Sequence, residues 1–203
     1  MKMIRNLIIC LLVILFVGPI IGQQQQKQQQ QPSAEEQKMM ERWKEYATPG
    51  EHHKYLEYFA GNWDVTATVW MKPGAAPEVS KGEGTSEMIL GGRYLKSHFK
   101  GSMMGQPFEG ISFTGYDNFK KEFISVWMDT GGTGIYQTTG TLDKATKTRT
   151  ETGTFDDFMT GNKMKVRWVT KIIDDNNFKF EMYDEREGKE FKSGEIAYTR
   201  KSK

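Results

Sequence analysis

The stretch Asn62–Met71, NWDVTATVWM, decides the fold, because its side chains alternate. Trp63, Val65, Ala67, Val69 and Met71 form one apolar set, while Asp64, Thr66 and Thr68 are polar. Successive side chains of a β-strand point to opposite faces, so this is a strand with one buried side. The same texture continues to the C-terminus with turn signals about every 8–12 residues, the spacing of an all-β sandwich or barrel. Strands are expected over 62–71, 80–90, 93–104, 107–117, 121–130, 133–142, 147–155, 162–173, 177–185 and 190–200. Turn formers lie between them: Lys72-Pro73-Gly74, Gly91-Gly92, Asp117-Asn118, Gly131-Gly132, Thr160-Gly161-Asn162 and Asp174-Asp175-Asn176-Asn177. Glycine and asparagine supply the positive φ that tight turns require. The expected architecture is therefore all-β, an antiparallel up-and-down barrel of about ten strands.

Applying the alternation test strand by strand sorts the side chains by face. In RYLKSHFKGSM the inward set is Arg93, Leu95, Ser97 and Phe99, which leaves Arg93 buried or at the rim. Met164, Val166, Trp168, Thr170 and Ile172 face inward in KMKVRWVTKI, as do Phe178, Phe180 and Met182 in FKFEMYDE. The strand around Trp127 is ambiguous: Phe123, Ser125, Trp127 and Asp129 share one face and Ile124, Val126 and Met128 the other. GIYQTTGTL and KTRTETGTF are rich in threonine and weakly apolar on both faces. Such strands imply a lumen that is partly polar on one side rather than a fully packed core.

The chain opens with MKMIRN followed by LIICLLVILFVGPIIG, the layout of a secretory signal peptide, here residues 1–22. Its apolar run is shorter than the roughly 20 residues a spanning helix needs, so no stable membrane span is expected after its removal. A periplasmic or secreted protein follows. Cys10, the only cysteine, lies inside this segment, so the mature chain has no disulfide and no thiolate chemistry. Removing the segment lowers the 28 basic side chains to 26, equal to the 26 acidic ones. No basic stripe remains for nucleic acid or an anionic membrane surface.

Residues 23–32, QQQQKQQQQP, form a polar low-complexity tether that cannot bury enough apolar area to fold. Ser33 with Glu36 makes a capping-box pattern, and Met39, Met40, Trp43 and Tyr46 recur at helical spacing behind it. That helix should end near Thr48-Pro49-Gly50. A second short helix in EHHKYLEYFAG is expected to plug or cover one end of the barrel. Met39, Met40 and Trp43 are expected to pack on the barrel, with docking of a partner as the alternative. The divisions are thus 1–22, 23–32, helices over 33–60 and a barrel domain over 61–203.

Four blocks then carry a family resemblance: PGEHHKYLEYFAGNWDVTATVW, LGGRYLKSHFKGSMMGQPFEGISFTGYDN, VWMDTGGTGIYQTTGTLD and EMYDEREGKEFKSGEIAYTR. In this order, over about residues 48–201, they resemble the DUF1579 family, a domain of unknown function. The resemblance implies a lipocalin-like, calycin-type β-barrel and no established reaction. Gly61-Asn62-Trp63 is also similar to the Gly-x-Trp start of lipocalins, whose tryptophan closes the barrel floor beneath a late arginine. That resemblance implies structural roles for Gly61, Trp63 and Arg200, the last two in a cation–π contact.

The favoured functional expectation is a barrel that binds one small hydrophobic or amphipathic molecule. Leu95, Phe99, Trp127, Trp168 and Met182 would contact its body, and Arg93 or Asp129 would orient a polar head. Asp129 also reads as a turn residue whose carboxylate accepts backbone N–H groups. One alternative is haem binding of the nitrobindin type, but that group's glycine-rich continuation after the first tryptophan is replaced here by DVTAT. His52 and His53 are adjacent and point to different sides of a helix, and His98 is expected outside, which is poor ligand geometry. Another alternative is an isomerase or hydrolase in the barrel mouth. No nucleophile elbow, phosphate loop or His-Glu metal motif appears, and Asp156-Asp157 and Asp174-Asp175 fall in expected turns. No catalytic residue, metal ligand or cofactor is assigned, and the oligomeric state is left open.

Overall fold

The computed structural model describes residues 32–157, 159–186 and 188–202. The expected signal peptide, and all of the tether except Pro32, lie outside the described residues. Helix α1 (Ala34–Ala47) begins at a capping box: Glu36 N–H donates to Ser33 Oγ at 3.2 Å, and Ser33 N–H donates to Glu36 Oε2 at 2.7 Å. It ends before Pro49, because the residue preceding a proline is pushed out of the helical region. After Pro49-Gly50 comes α2 (Glu51–Glu57).

Ten antiparallel strands follow: β1 (Gly61–Val69), β2 (Glu78–Ile89), β3 (Tyr94–Met103), β4 (Gln106–Asp117), β5 (Glu122–Asp129), β6 (Tyr136–Asp143), β7 (Thr148–Asp156), β8 (Lys163–Ile172), β9 (Asn177–Arg186) and β10 (Lys189–Arg200). Each pairs with the next, and β10 returns to β1, so the sheet closes. Closure leaves no unpaired edge to invite another strand. In the closing register Trp63 lies opposite Arg200 and Val69 opposite Gly194. The alternation of β1 holds in three dimensions, with Trp63, Val65 and Ala67 buried and the residues between them exposed.

The two helices divide their roles differently from the expectation. Leu56 of α2 is fully buried, and with Phe59 it packs into a cluster with Trp63, Leu95, Phe123 and Phe178. This end of the barrel is plugged. His52 stacks on Tyr116 with ring centroids 4.0 Å apart, and His53 Nδ1 accepts a bond from Gly50 N–H at 3.0 Å. By contrast α1 buries no residue, and Met39, Met40, Trp43 and Tyr46 are each more than half exposed. The expected packing of Met39, Met40 and Trp43 on the barrel is therefore corrected: α2 already covers the barrel end. The tail of α1 is tied down instead, by Arg93 Nη2 donating to Ala47 O at 2.7 Å and Asn118 Nδ2 donating to Thr48 O at 2.8 Å.

Trp63 and Arg200 close the floor beside the plug. The Arg200 guanidinium carbon sits 4.1 Å from the Trp63 ring centroid, Nη1 donates to Ala60 O at 2.8 Å and Nη2 to Tyr58 O at 2.6 Å. Trp63 Nε1 donates in turn to Phe59 O at 2.9 Å. Gly61 makes this possible: its φ is +127°, and a Cβ there would lie 2.8 Å from Arg200 Nη1.

Gly61→Ala should accordingly cost about 2 kcal/mol through backbone strain and displacement of Arg200. Leu56→Ala in the plug should cost about 2–5 kcal/mol, whereas Met40→Ala on α1 should stay within about 0.5 kcal/mol. Urea unfolding measures all three, and equal effects at Leu56 and Met40 would contradict the division between plug and free helix.

Candidate functional site

Beyond the plug the barrel interior opens into a cavity of about 360 Å³. Its far end reaches the surface, where Met71 and Met103 both line it and are exposed. The volume stands at the lower end of ordinary small-molecule pockets. Why the interior is not filled is legible in its walls. Large inward side chains lie against glycines instead of crossing the lumen: a Cβ at Gly82 would meet the Phe99 ring at 2.7 Å and one at Gly101 would meet it at 2.6 Å. A Cβ at Gly110 would fall 2.1 Å from the Trp127 ring, and one at Gly194 would fall 2.2 Å from Met182 Cε.

Of the residues singled out from the sequence, Leu95, Phe99, Trp127, Asp129, Trp168 and Met182 all line this cavity. The ambiguous strand is resolved, since Phe123 and Ser125 are buried on the face they share with Trp127 and Asp129. Asp129 serves two partners: Oδ2 accepts from Trp127 Nε1 at 2.5 Å and Oδ1 from Gly131 N–H at 2.8 Å. It is a turn residue, as its place before Gly131-Gly132 suggests, and it also pins the indole against the wall. Arg93 must be corrected. The left-handed backbone at Leu90, Gly91 and Gly92 delays β3 to Tyr94, so Arg93 is exposed in the turn and bonded to Leu90 O and Ala47 O, outside the cavity.

The base of the cavity is polar and was not picked out as a site. Glu151, 1% exposed, accepts from Ser125 Oγ at 2.7 Å through Oε1 and from Arg149 Nε at 3.1 Å through Oε2. Because Ser125 gives its one proton to Glu151, the Thr114 hydroxyl 3.0 Å away must donate to Ser125. Arg149, 7% exposed, stands 5.4 Å above the Phe123 ring, and its Nη2 donates to Thr170 Oγ1 at 3.4 Å. The result is a line of bonded polar groups running from β4 to β8 along the base of the cavity. Gly140 lets β6 approach β7 here, as a Cβ would stand 1.9 Å from Thr150 O.

Four buried side-chain polar atoms have no hydrogen-bond partner among the described residues: Arg149 Nη1, Thr138 Oγ1, Tyr55 Oη and, in the plug helix, His52 Nδ1. Burial pushes the Tyr55 phenol up to about 12, so it stays a neutral hydroxyl. The sequence signal for Arg149 and Glu151 was their alternation, which puts them on one face with Gly153 and Phe155. Hydropathy alone sends charged residues outward and hides that face.

The groups weighed for other chemistries do not converge on one point. His98 Nε2 pairs with Glu109 at 2.5 Å, and His52 and His53 lie in the plug helix. Asp157 accepts from Met159 N–H and Asp174 from Asn176 N–H, both within turns. Among the described residues no group of three His, Cys, Asp or Glu side chains is placed to hold a metal ion, and no helix is long and apolar enough to cross a membrane.

Solved structures resemble this chain at low sequence identity. Rv2717c from M. tuberculosis aligns with a TM-score of 0.55 and 11% identity, covering 76% of this chain and 100% of its own. A redesigned beta barrel, b11L5F_LGL, aligns with a TM-score of 0.38 and 15% identity over 73% of this chain and 96% of its own. EF1p2_mFAP2b, bound to DFHBI, gives 0.42 and 10% over 73% and 98%. At these identities the first likeness concerns the fold alone, and the other two are too distant to carry an argument. No curated protein matches the chain. Residues 48–200 match the family described as "Protein of unknown function (DUF1579)", well over half of the sequence, and the chain therefore belongs to that family.

Proposed function

We propose that the barrel binds one small amphipathic molecule in its lumen, entering at the end opposite α2. The observation that carries this reading is the layering of Phe99, Trp127 and Met182 on wall glycines, which keeps a central space open. A barrel selected only for stability would fill that space, because unfilled volume forfeits dispersion contacts. Apolar side chains line most of the space and a few fixed polar groups its base, the usual composition of a small-molecule site. The signal-peptide pattern of residues 1–22 supports placing this activity in the periplasm or medium.

Neither alternative has a comparable observation behind it. Of the paired acids, Asp157 and Asp174 cap turns and Asp156 pairs with Lys163 at the end of β7, and the histidines are at the plug or paired with Glu109.

Binding of the neutral fluorescent probe N-phenyl-1-naphthylamine tests the reading. Native protein should bind it with saturable, one-to-one stoichiometry. Gly110→Ala should drive the Trp127 ring into the lumen and weaken binding by roughly tenfold, the scale of one misplaced methylene-sized group in an apolar pocket. Non-saturable binding, or binding unaffected by that variant, would contradict the lumen as the site.

A further inference from the structure

We infer that the base of the lumen is a head-group subsite for a neutral oxygen acceptor, a carbonyl or hydroxyl, with Arg149 as its donor. The inference rests on the lumen-binding reading and adds the polarity and orientation of the ligand.

Arg149 lines the cavity, is more than nine-tenths buried and leaves Nη1 without a partner among the described residues. Its other bonds hold the guanidinium in place. Nε is committed to Glu151 and Nη2 to Thr170, while Glu151 is fixed from the far side by Ser125. A guanidinium presents its donors in a rigid plane, so fixing two nitrogens fixes the direction of the third. Buried donors with no acceptor are rare in folded proteins, because each one loses its bonds to water and gains none. An acceptor supplied by a ligand removes that cost only when the ligand is bound, which makes the site selective for molecules that carry one.

The charge balance says what kind of acceptor. Arg149 is already neutralised by Glu151 at 3.1 Å, and the other carboxylates lining the cavity are Glu78 and Asp129. At the base the cation is already matched, so a carboxylate or phosphate head would bring a second negative charge with no cation of its own, and a buried charge without its own partner is costly. Glu78 and Asp129 add further negative charge toward the open end. A neutral carbonyl or hydroxyl accepts from Nη1 without that conflict. Tyr55 Oη and Thr138 Oγ1, on residues outside the cavity lining, are further unpartnered hydroxyls near this base. The Tyr55 ring packs against Phe123, over which Arg149 lies, and Thr138 is the cross-strand partner of Ser125. The apolar body of the ligand then extends toward the open end, along Leu95, Phe99, Trp168 and Met182.

Displacement of N-phenyl-1-naphthylamine by octane, 1-octanol, 2-octanone and octanoate at neutral pH separates the claims, since the four share a chain length and differ in the head. The alcohol and ketone should displace the probe at concentrations about tenfold or more below octane, the effect of one hydrogen bond to a charged group. Arg149→Met alone leaves Glu151 as an unpaired buried charge and is liable to misfold, so the double variant Arg149→Met with Glu151→Leu is the informative one. Replacing both members of a buried pair by apolar groups of similar size is commonly tolerated. The double variant should still bind the probe and should lose the preference for the oxygen-bearing compounds. Equal displacement by octane and octanol in the native protein, or a preference that survives the double variant, would overturn the head-group subsite while leaving lumen binding intact. Octanoate as the strongest competitor would overturn the neutral-head assignment. Failure of the native protein to bind the probe at all would contradict the lumen reading and this inference with it.

Discussion

Arg200 joins three parts of the molecule at the point where the barrel closes. It belongs to the last strand, lies 4.1 Å over the tryptophan of the first, and donates to the backbone of Tyr58 and Ala60 where the plug turns into the sheet. A guanidinium stacks on an aromatic face and donates in its own plane at the same time, which a lysine ammonium cannot do. Gly61 is the complementary constraint, because only a residue without Cβ leaves room for Nη1 at that backbone angle. The register of β1 against β10, and with it the inward direction of Trp63 and Val65, follows from this clasp.

From the closed floor the interior changes character along the axis. Next to α2 it is a dry cluster built on Leu56, Phe59, Trp63, Phe123 and Phe178, where each buried side chain contributes about 1.5–3 kcal/mol. Beyond that cluster the chain places glycine opposite large side chains, and the packing gives way to a cavity. The Arg149–Glu151 pair lies at the boundary between the two. An apolar pair of equal volume would stabilise the barrel as well or better. Its presence at the base of a cavity, with one guanidinium nitrogen left over, is the feature that separates this barrel from a filled one.

Much of this was legible in the sequence because antiparallel barrels repeat one rule. Period-two alternation located ten strands and gave the inward faces of β1, β8 and β9, and the capping box placed the start of α1. The same rule failed where its premise failed. Arg93 was assigned to a strand face although positive φ at Leu90 to Gly92 holds it in the turn, and backbone angles do not show in hydropathy. Met39, Met40 and Trp43 read as a packing stripe, but whether a stripe finds a surface depends on what already covers the barrel end. Glu151 and Arg149 were missed because charged residues turn inward only where partners are waiting, and beyond each other theirs lie on other strands. Ser125 lies 26 positions away in the chain, and that pairing exists only after the sheet has closed.

The central claim is an open lumen that holds a small amphipathic molecule, and native mass spectrometry with organic extraction, on protein purified from its own cells, tests it most directly. The account predicts a stoichiometric adduct that is lost on denaturation and is recovered in the organic phase as a neutral, oxygen-bearing apolar compound. A protein mass with no adduct, unchanged after incubation with an extract of the same cells, would contradict it.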